Sequence, residues 1–262
     1  MATGRTLSRW TRLYLNGHDL SGDARAVGPL VHGQEIEEME ALNWQVKGGL
    51  PNQEQIGIGS INAILSANGA DDIHDVFATP GQECTVMIPV GMRAEPAAGD
   101  PAFLALINQL NYNLDIGINN ITIGIDTGAR PVNIPLSHTK PWGVLLHAKA
   151  AKTEANAAVG IDDNGAASAN GGYLMFQIFA AAGSGTVIVK VQDAATNSDG
   201  SFSDLSGATS GEIAHTDIPT AGIVQIGTTA TVRRYLRWQI VLDGITSVTF
   251  ALAFVRSHAH NV

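Results

Sequence analysis

The stretch RRYLRWQIVLDGITSVTFALAFVRS, residues 233–257, decides the fold. Before Asp243-Gly244, the residues Val232, Leu236, Trp238 and Ile240 share one face, and Arg233, Tyr235, Arg237 and Gln239 share the other. After it, Val248, Phe250, Leu252 and Phe254 recur at every second position. A period of two belongs to a strand with one buried face. Asp-Gly between two alternating runs predicts a tight hairpin. Trp238 and Phe250 are then core residues, while Arg233 and Arg237 point outward and pair with acids of the same or a neighbouring subunit.

Working upstream, Tyr173–Ala180 and Thr186–Gln192 are strands joined by a turn at Gly183-Ser184-Gly185, with Val187, Val189 and Val191 on one face. Asn197–Gly200 is a second turn signal. Trp142, Val144, Leu146 and Ala148 alternate with Leu145, His147 and Lys149, which gives a strand over 142–150. Residues 151–171, rich in Ala, Asn, Gly and Asp, read as an exposed excursion.

Towards the N-terminus, residues 11–16 give a short strand and the glycine-rich residues 17–33 an irregular arm. Residues 34–47 place Ile36, Met39, Leu42 and Val46 at helical spacing among Glu35, Glu37, Glu38 and Glu40, and Gly48-Gly49 stops that helix. Residues 56–65 form a strand, 71–78 a short helix capped by Asp71 or Asp72, and Cys84–Val90 a strand with a proline that argues for an edge or a bulge. Pro101 opens a helix over 101–111, with Phe103, Leu104, Ile107 and Leu110 on one side. Ile121, Ile123 and Ile125 line one face of a strand at 118–126.

The 262 residues suffice for a core without staples. Charged residues make up 15%, against roughly 25% in an average soluble domain, as expected of a chain that buries its outside against neighbours. No window approaches the roughly 20 apolar residues of a membrane-spanning helix, so no membrane partner is expected. The opening MATGRTLSRW has two arginines but no apolar run, so no secretory signal is expected. One cysteine excludes an internal disulfide framework. Twenty-four acids against 15 bases give a net charge of −9, the wrong sign for holding phosphates but the right one for repelling them.

Chemistry-bearing patterns are sparse. His18, His32, His74, His138, His147, His215, His258 and His260 follow no ligand spacing, so no metal site is expected. Asp162-Asp163-Asn164-Gly165 and Asn197-Ser198-Asp199-Gly200 faintly resemble calcium loops but lack the trailing glutamate, and turns explain them better. Gly57-Ile58-Gly59 lacks the rest of a nucleotide fingerprint and suits a strand approached closely by backbone. Cys84 reads as a small buried residue. The basic–aromatic run Arg233–Trp238 could stack on nucleic acid, but the structural reading is favoured. No catalytic residue, no cofactor and no enzyme activity is expected.

The segment LYLNGHDLSGDARAVGPL (residues 13–30) resembles the start of tail proteins of long-tailed bacteriophages, through Gly17, Asp19, Leu20, Ser21, Gly22 and Asp23. The following GGLPNQEQIGIGSI and CTVMIPVG also fit, and VKVQDAATNSDGSFSDLSG with the 233–257 stretch is similar to β-rich segments of phage virion proteins. The resemblance covers residues 12–125 and 172–256. It implies a tail tube (major tail) protein: an antiparallel β-sandwich or barrel with two or three short helices and long inter-subunit arms at 17–33 and 151–171. It carries over no catalytic residue.

Its length divides the chain into 1–130, a tail-tube-like region with short helices, and 131–262, a β-rich region that is interwoven into the same sandwich or an added domain. The resemblance implies a homo-oligomer of stacked rings, hexameric as is usual in that family, contacts with other phage tail proteins, and genomic DNA passing through the lumen without specific binding. It places the protein in the virion after synthesis in the host cytoplasm. A capsid cement or decoration protein, a minor tail protein and a carbohydrate-binding β-sandwich are the alternatives.

Overall fold

A computed structural model describes residues 8–39, 48–65, 72–92, 94–118, 120–129, 140–153 and 155–258. The chain is mainly β, with an antiparallel sheet curled into a half-barrel and very few helices. Its first strands are β1 (Tyr14–Leu15), β2 (His18–Asp19), β3 (Ala24–Val27), β4 (Leu30–Met39), β5 (Gly48–Ile58) and β6 (Ser60–Ile64). After helix α1 (Ile73–Phe77) come β7 (Glu83–Pro89), β8 (Pro101–Gln109), β9 (Asn113–Ile116), β10 (Ile121–Ala129) and β11 (Trp142–Lys152). The remaining strands are β12 (Asp162–Asp163), β13 (Gly172–Ala194), β14 (Ser203–Thr209), β15 (Ile213–Ala214), β16 (Thr220–Ile226) and β17 (Tyr235–Arg256). The main sheet runs β14-β13-β17-β11-β8-β10-β6-β3, and β4 with β5 forms a separate two-stranded ribbon.

The stretch 233–257 is strand, but it is not a hairpin. β17 runs unbroken through Asp243-Gly244, and β13 runs unbroken through Gly183–Gly185. The two pair antiparallel along their whole length, from Gly172 opposite Arg256 to Ala194 opposite Tyr235. Both expected turns are the two sides of one bend. Gly183, Gly185 and Gly244 all have positive φ, and a Cβ on Gly244 would lie 2.1 Å from the Ser184 carbonyl oxygen. Chain reversal and a sharp bend demand the same backbone freedom, so the residue types alone could not separate them.

The bend also resets the side-chain alternation. Leu174, Phe176 and Ile178 before it, and Val187, Val189 and Val191 after it, lie in one core. From β17, Leu236, Trp238 and Ile240 on one limb and Val248, Phe250, Leu252 and Phe254 on the other join the same core. Register shifts between Ile178 and Val187 absorb the change from even to odd positions. Trp238 and Phe250 are buried as expected and meet edge to face at 5.7 Å.

A second core lies in the N-terminal half, where Leu13, Leu15, Leu20, Ile61, Phe77, Phe103 and Ile107 meet. A third lies between the two, joining Tyr14, Met87 and Leu104 to Leu145, Tyr173, Met175 and Val255. β8 has one face in the second core, through Phe103, Ala105 and Ile107, and the other in the third, through Ala102 and Leu104. That corrects the helix expected over 101–111. An apolar run buried on both faces has no strand alternation to display, and periodicity cannot then distinguish it from a buried helix.

The helix expected over 34–47 is likewise corrected: residues 34–39 belong to β4, paired with β5, and 40–47 lie outside the described residues. Cross-strand pairing overrides the local helical preference of the glutamates. The helix expected over 71–78 is present as α1, with Ile73 and Phe77 buried. The irregular arm expected over 17–33 instead contains β2, β3 and the start of β4, with Leu20 fully buried. Pro89 closes β7, which is not an edge strand, since β1 and β8 pair on its two sides.

Two substitutions test this account. Trp238→Ala removes a large side chain from the core built on β13 and β17, and chemical denaturation should show a loss of about 3–5 kcal/mol. Gly244→Val places a branched side chain at positive φ against the facing strand, and should lower stability by at least ~2 kcal/mol with the fold retained by circular dichroism.

Candidate functional site

The Gly17–Asp23 segment is a clip that fastens the N-terminal strands to β13. Asn16 and Gly17, both at positive φ, turn the chain tightly between β1 and β2. The Gly17 N–H donates to Gln177 Oε1 at 2.6 Å, and Gln177 Nε2 donates to the Thr85 carbonyl at 2.9 Å. Gln177, fully buried on β13, thereby ties the turn to β7. A Cβ on Gly17 would stand 2.4 Å from the Thr220 nitrogen, so glycine alone fits.

The other motif residues are equally occupied. Asp19 Oδ1 accepts from the Ser21 hydroxyl at 2.5 Å, Asp19 Oδ2 from Lys149 Nζ at 2.7 Å, and Ser21 Oγ from the Leu13 N–H at 2.9 Å. Asp23 Oδ2 accepts the Ile73 N–H at 3.3 Å, at the start of α1. The motif is therefore architecture rather than chemistry.

Residues 151–171 are held along β17 of their own chain. The N–H groups of Ala157, Ile161, Asn164 and Ser168 donate to the carbonyls of Trp238, Leu236, Arg234 and Val232. Arginines lock the arrangement. Arg234 pairs with Asp163 at 2.6 Å, Arg256 with Asp162 at 3.1 Å, and Arg233 with the buried Asp193 at 2.6 Å. Arg237 bonds Asp199, Gln192 and the Ala157 carbonyl, with its guanidinium over the Phe202 ring. Arg233 is partly exposed, but Arg237 is only 4% exposed. This corrects the outward placement expected for Arg237: a guanidinium can be buried when its donors and its flat face are both occupied.

Both calcium-like stretches serve the same lattice. Asp162, Asp163 and Asp199 are bound to arginines, and Arg234 holds the Asp163 carboxyl down at about 2. Asp163 Oδ1 also caps the turn by accepting the Gly165 N–H, and Asn197 Oδ1 accepts the Gly160 N–H. Among the described residues, no group of three or more His, Cys, Asp or Glu side chains could hold a metal ion. His138 and His260 lie outside the described residues; His74 bonds the Tyr112 hydroxyl at 2.6 Å. Burial pushes the Cys84 thiol up to about 11, which leaves it un-ionised near neutral pH. Gly59 packs against Pro29, the close approach its strand setting suggested.

Sequence reading missed three features. The first is a groove carrying Arg9, Arg12 and Arg25; its signal was the clustering of three arginines in seventeen residues of a base-poor chain. The second is β9, which among the described residues pairs only with β10 and has all four residues exposed. Leu114 and Ile116 lie opposite Ile123 and Ile121, so the apolar face of the sheet continues past its core onto β9. The third is His147, stacked 4.0 Å from Phe250 and edge-on to Trp238 at 5.0 Å.

No family model matches the chain, and no curated protein matches it. Among solved structures, the chain is similar to the Dit protein (gp 19.1) of phage SPP1, described as a paradigm of the hub adsorption apparatus in phages infecting Gram-positive bacteria. The match covers 93% of this chain and 98% of that one, at 11% identity and a TM-score of 0.32.

His147 makes a measurable pH effect. Burial pushes its pKa down to about 4, outweighing the opposite effect of its hydrogen bond to the Phe250 carbonyl. Above its unfolded pKa of about 6.5, both states are neutral; between there and about 4, only the unfolded chain takes up the proton, so stability falls with pH. Urea titrations should show the wild type losing about 3 kcal/mol more than His147→Phe between pH 7 and 4. Parallel profiles for the two chains would remove this role.

Proposed function

We propose that the chain is a structural protein of the tail of a long-tailed phage, acting as a tube subunit whose rings stack and conduct genomic DNA. The observation that carries the reading is the half-barrel, with a β9 edge that has no partner among the described residues and with Leu114, Ile116 and the following Ile118 exposed. An uncovered strand edge templates pairing with another chain, and closing many such edges into a ring removes them. The Gly17–Asp23 segment, on which the resemblance to phage tail proteins rests, adds support because Gly17, Asp19, Ser21 and Asp23 all bond within the fold.

Conduction on this reading is repulsion without grip. A cationic wall would hold phosphates and release their counterions, which adds affinity at each contact. A wall of net negative charge keeps the duplex away from every side. The chain's charge of −9, repeated around a ring, supplies that sign.

Negative-stain microscopy of the purified full-length chain tests the assignment. Tubes or stacked rings are expected, with more acids than bases facing the channel once a ring is resolved. Isolated trimers would favour a capsid cement protein, and strictly monomeric protein at micromolar concentration would overturn the tube. A channel lined mainly by Lys and Arg would overturn the repulsive mechanism alone.

A further inference from the structure

We infer that the arginine groove beside β1, β3 and β7 receives the acidic ribbon β4–β5 of a second copy of the chain. This rests on the self-assembling reading above and identifies one of its contact surfaces. The groove is open and has a volume of about 620 Å³. Its apolar lining includes Leu13, Val27 and Ile88, and its charged groups are Arg9, Arg12 and Arg25.

Two of the three guanidiniums, those of Arg9 and Arg25, are held differently from every described arginine after residue 232. Those four each have an aspartate of their own chain. Arg12 pairs with Glu95 and donates to the carbonyls of Arg9 and Thr11, which fixes it at the groove. Arg9 is exposed over the Trp10 ring, and Arg25 is exposed with no carboxylate partner among the described residues. In a chain with nine more acids than bases, two arginines without a carboxylate partner among the described residues, over an apolar floor, constitute a site for an acidic, partly apolar segment.

The densest acidic run of the chain is of this kind. Glu35, Glu37, Glu38 and Glu40 fall within six residues, interspersed with Ile36 and Met39. The first three lie on β4, which pairs with β5 in a ribbon separate from the main sheet. Leu30, at the base of that ribbon, lines the groove itself. At about 3.3 Å per residue, β4 carries its far end some 30 Å from that point. A ribbon leading away from its own groove meets the groove of another copy. The two surfaces differ, so the contact is head to tail, and it propagates into a ring or a stack.

Charge reversal and charge exchange test this in the full-length chain. One variant carries Arg9→Glu with Arg25→Glu, both exposed positions; a milder one carries Arg25→Gln alone. The opposing variant carries Glu37→Arg with Glu38→Arg. Sedimentation velocity over a concentration series should show each reversed chain needing about tenfold more protein to assemble, with the gap narrowing at high salt. Mixing the two reversed chains should restore association, which a purely structural role for either set cannot produce. Wild-type assembly with unchanged assembly of the arginine variants would overturn the docking site and leave self-association intact. A monomeric wild type would overturn both. Loss of duplex-DNA binding in the arginine variants, with assembly unaffected, would reassign the groove to phosphate.

Discussion

The bend shared by β13 and β17 is the constraint on which the rest of the structure depends. Each strand exceeds twenty residues, and straight strands of that length could not lay both limbs against one core. Three glycines at positive φ, placed opposite one another, let the pair turn together while their pairing continues on both sides. Both limbs then enclose Leu146, Trp238 and Phe250, and their ends are free to take other partners. β16 and β14 add along β13, and β11 and β12 along β17. Because β11 also pairs with β8, the bent ribbon organises the N-terminal sheet as well.

That dependence explains why some elements were legible in the sequence and others were not. The faces containing Trp238 and Phe250 could be read because each lies on a strand with one clear inner side. Helix α1 could be read because its ends are marked locally, by Asp72 before it and Pro80-Gly81 after it. The strand at β8 could not, since burial on both faces erases alternation. The bend could not, since Gly183-Ser184-Gly185 and Asp243-Gly244 show that the chain turns but not whether it reverses. What decides is the partner strand, some sixty residues away.

The interaction surfaces divide in the same way. The Gly17–Asp23 motif was visible as a pattern, but its purpose appears only when Gln177 and Lys149, more than a hundred residues on, arrive beside it. The arginine–aspartate lattice was half visible: the run 233–237 stood out, whereas the acids that neutralise it come from three separate segments. Burying Arg237 is tolerable only because Gln192, Asp199, the Ala157 carbonyl and Phe202 all converge on it. Composition reported few charges; the fold shows that several of them are spent holding the chain to itself.

The pairing of β13 with β17 also sets the order in which the protein can mature. β17 leaves the ribosome after the other described strands, yet it is the central partner of β13 and of β11. Until it emerges, both strands expose long unpaired edges, and the loop that must close spans residues 195–234. Distant pairings of this kind are slow to form, because chain entropy is lost before contacts are gained. An incomplete chain therefore has the β13 face on which the Gly17 turn docks but not the long partner strand that completes the pair. The interval before the final strand arrives is therefore the one in which the edges of β13 and β11 that β17 will cover stand open to pairing with any other strand, and chain synthesis rather than folding sets its length.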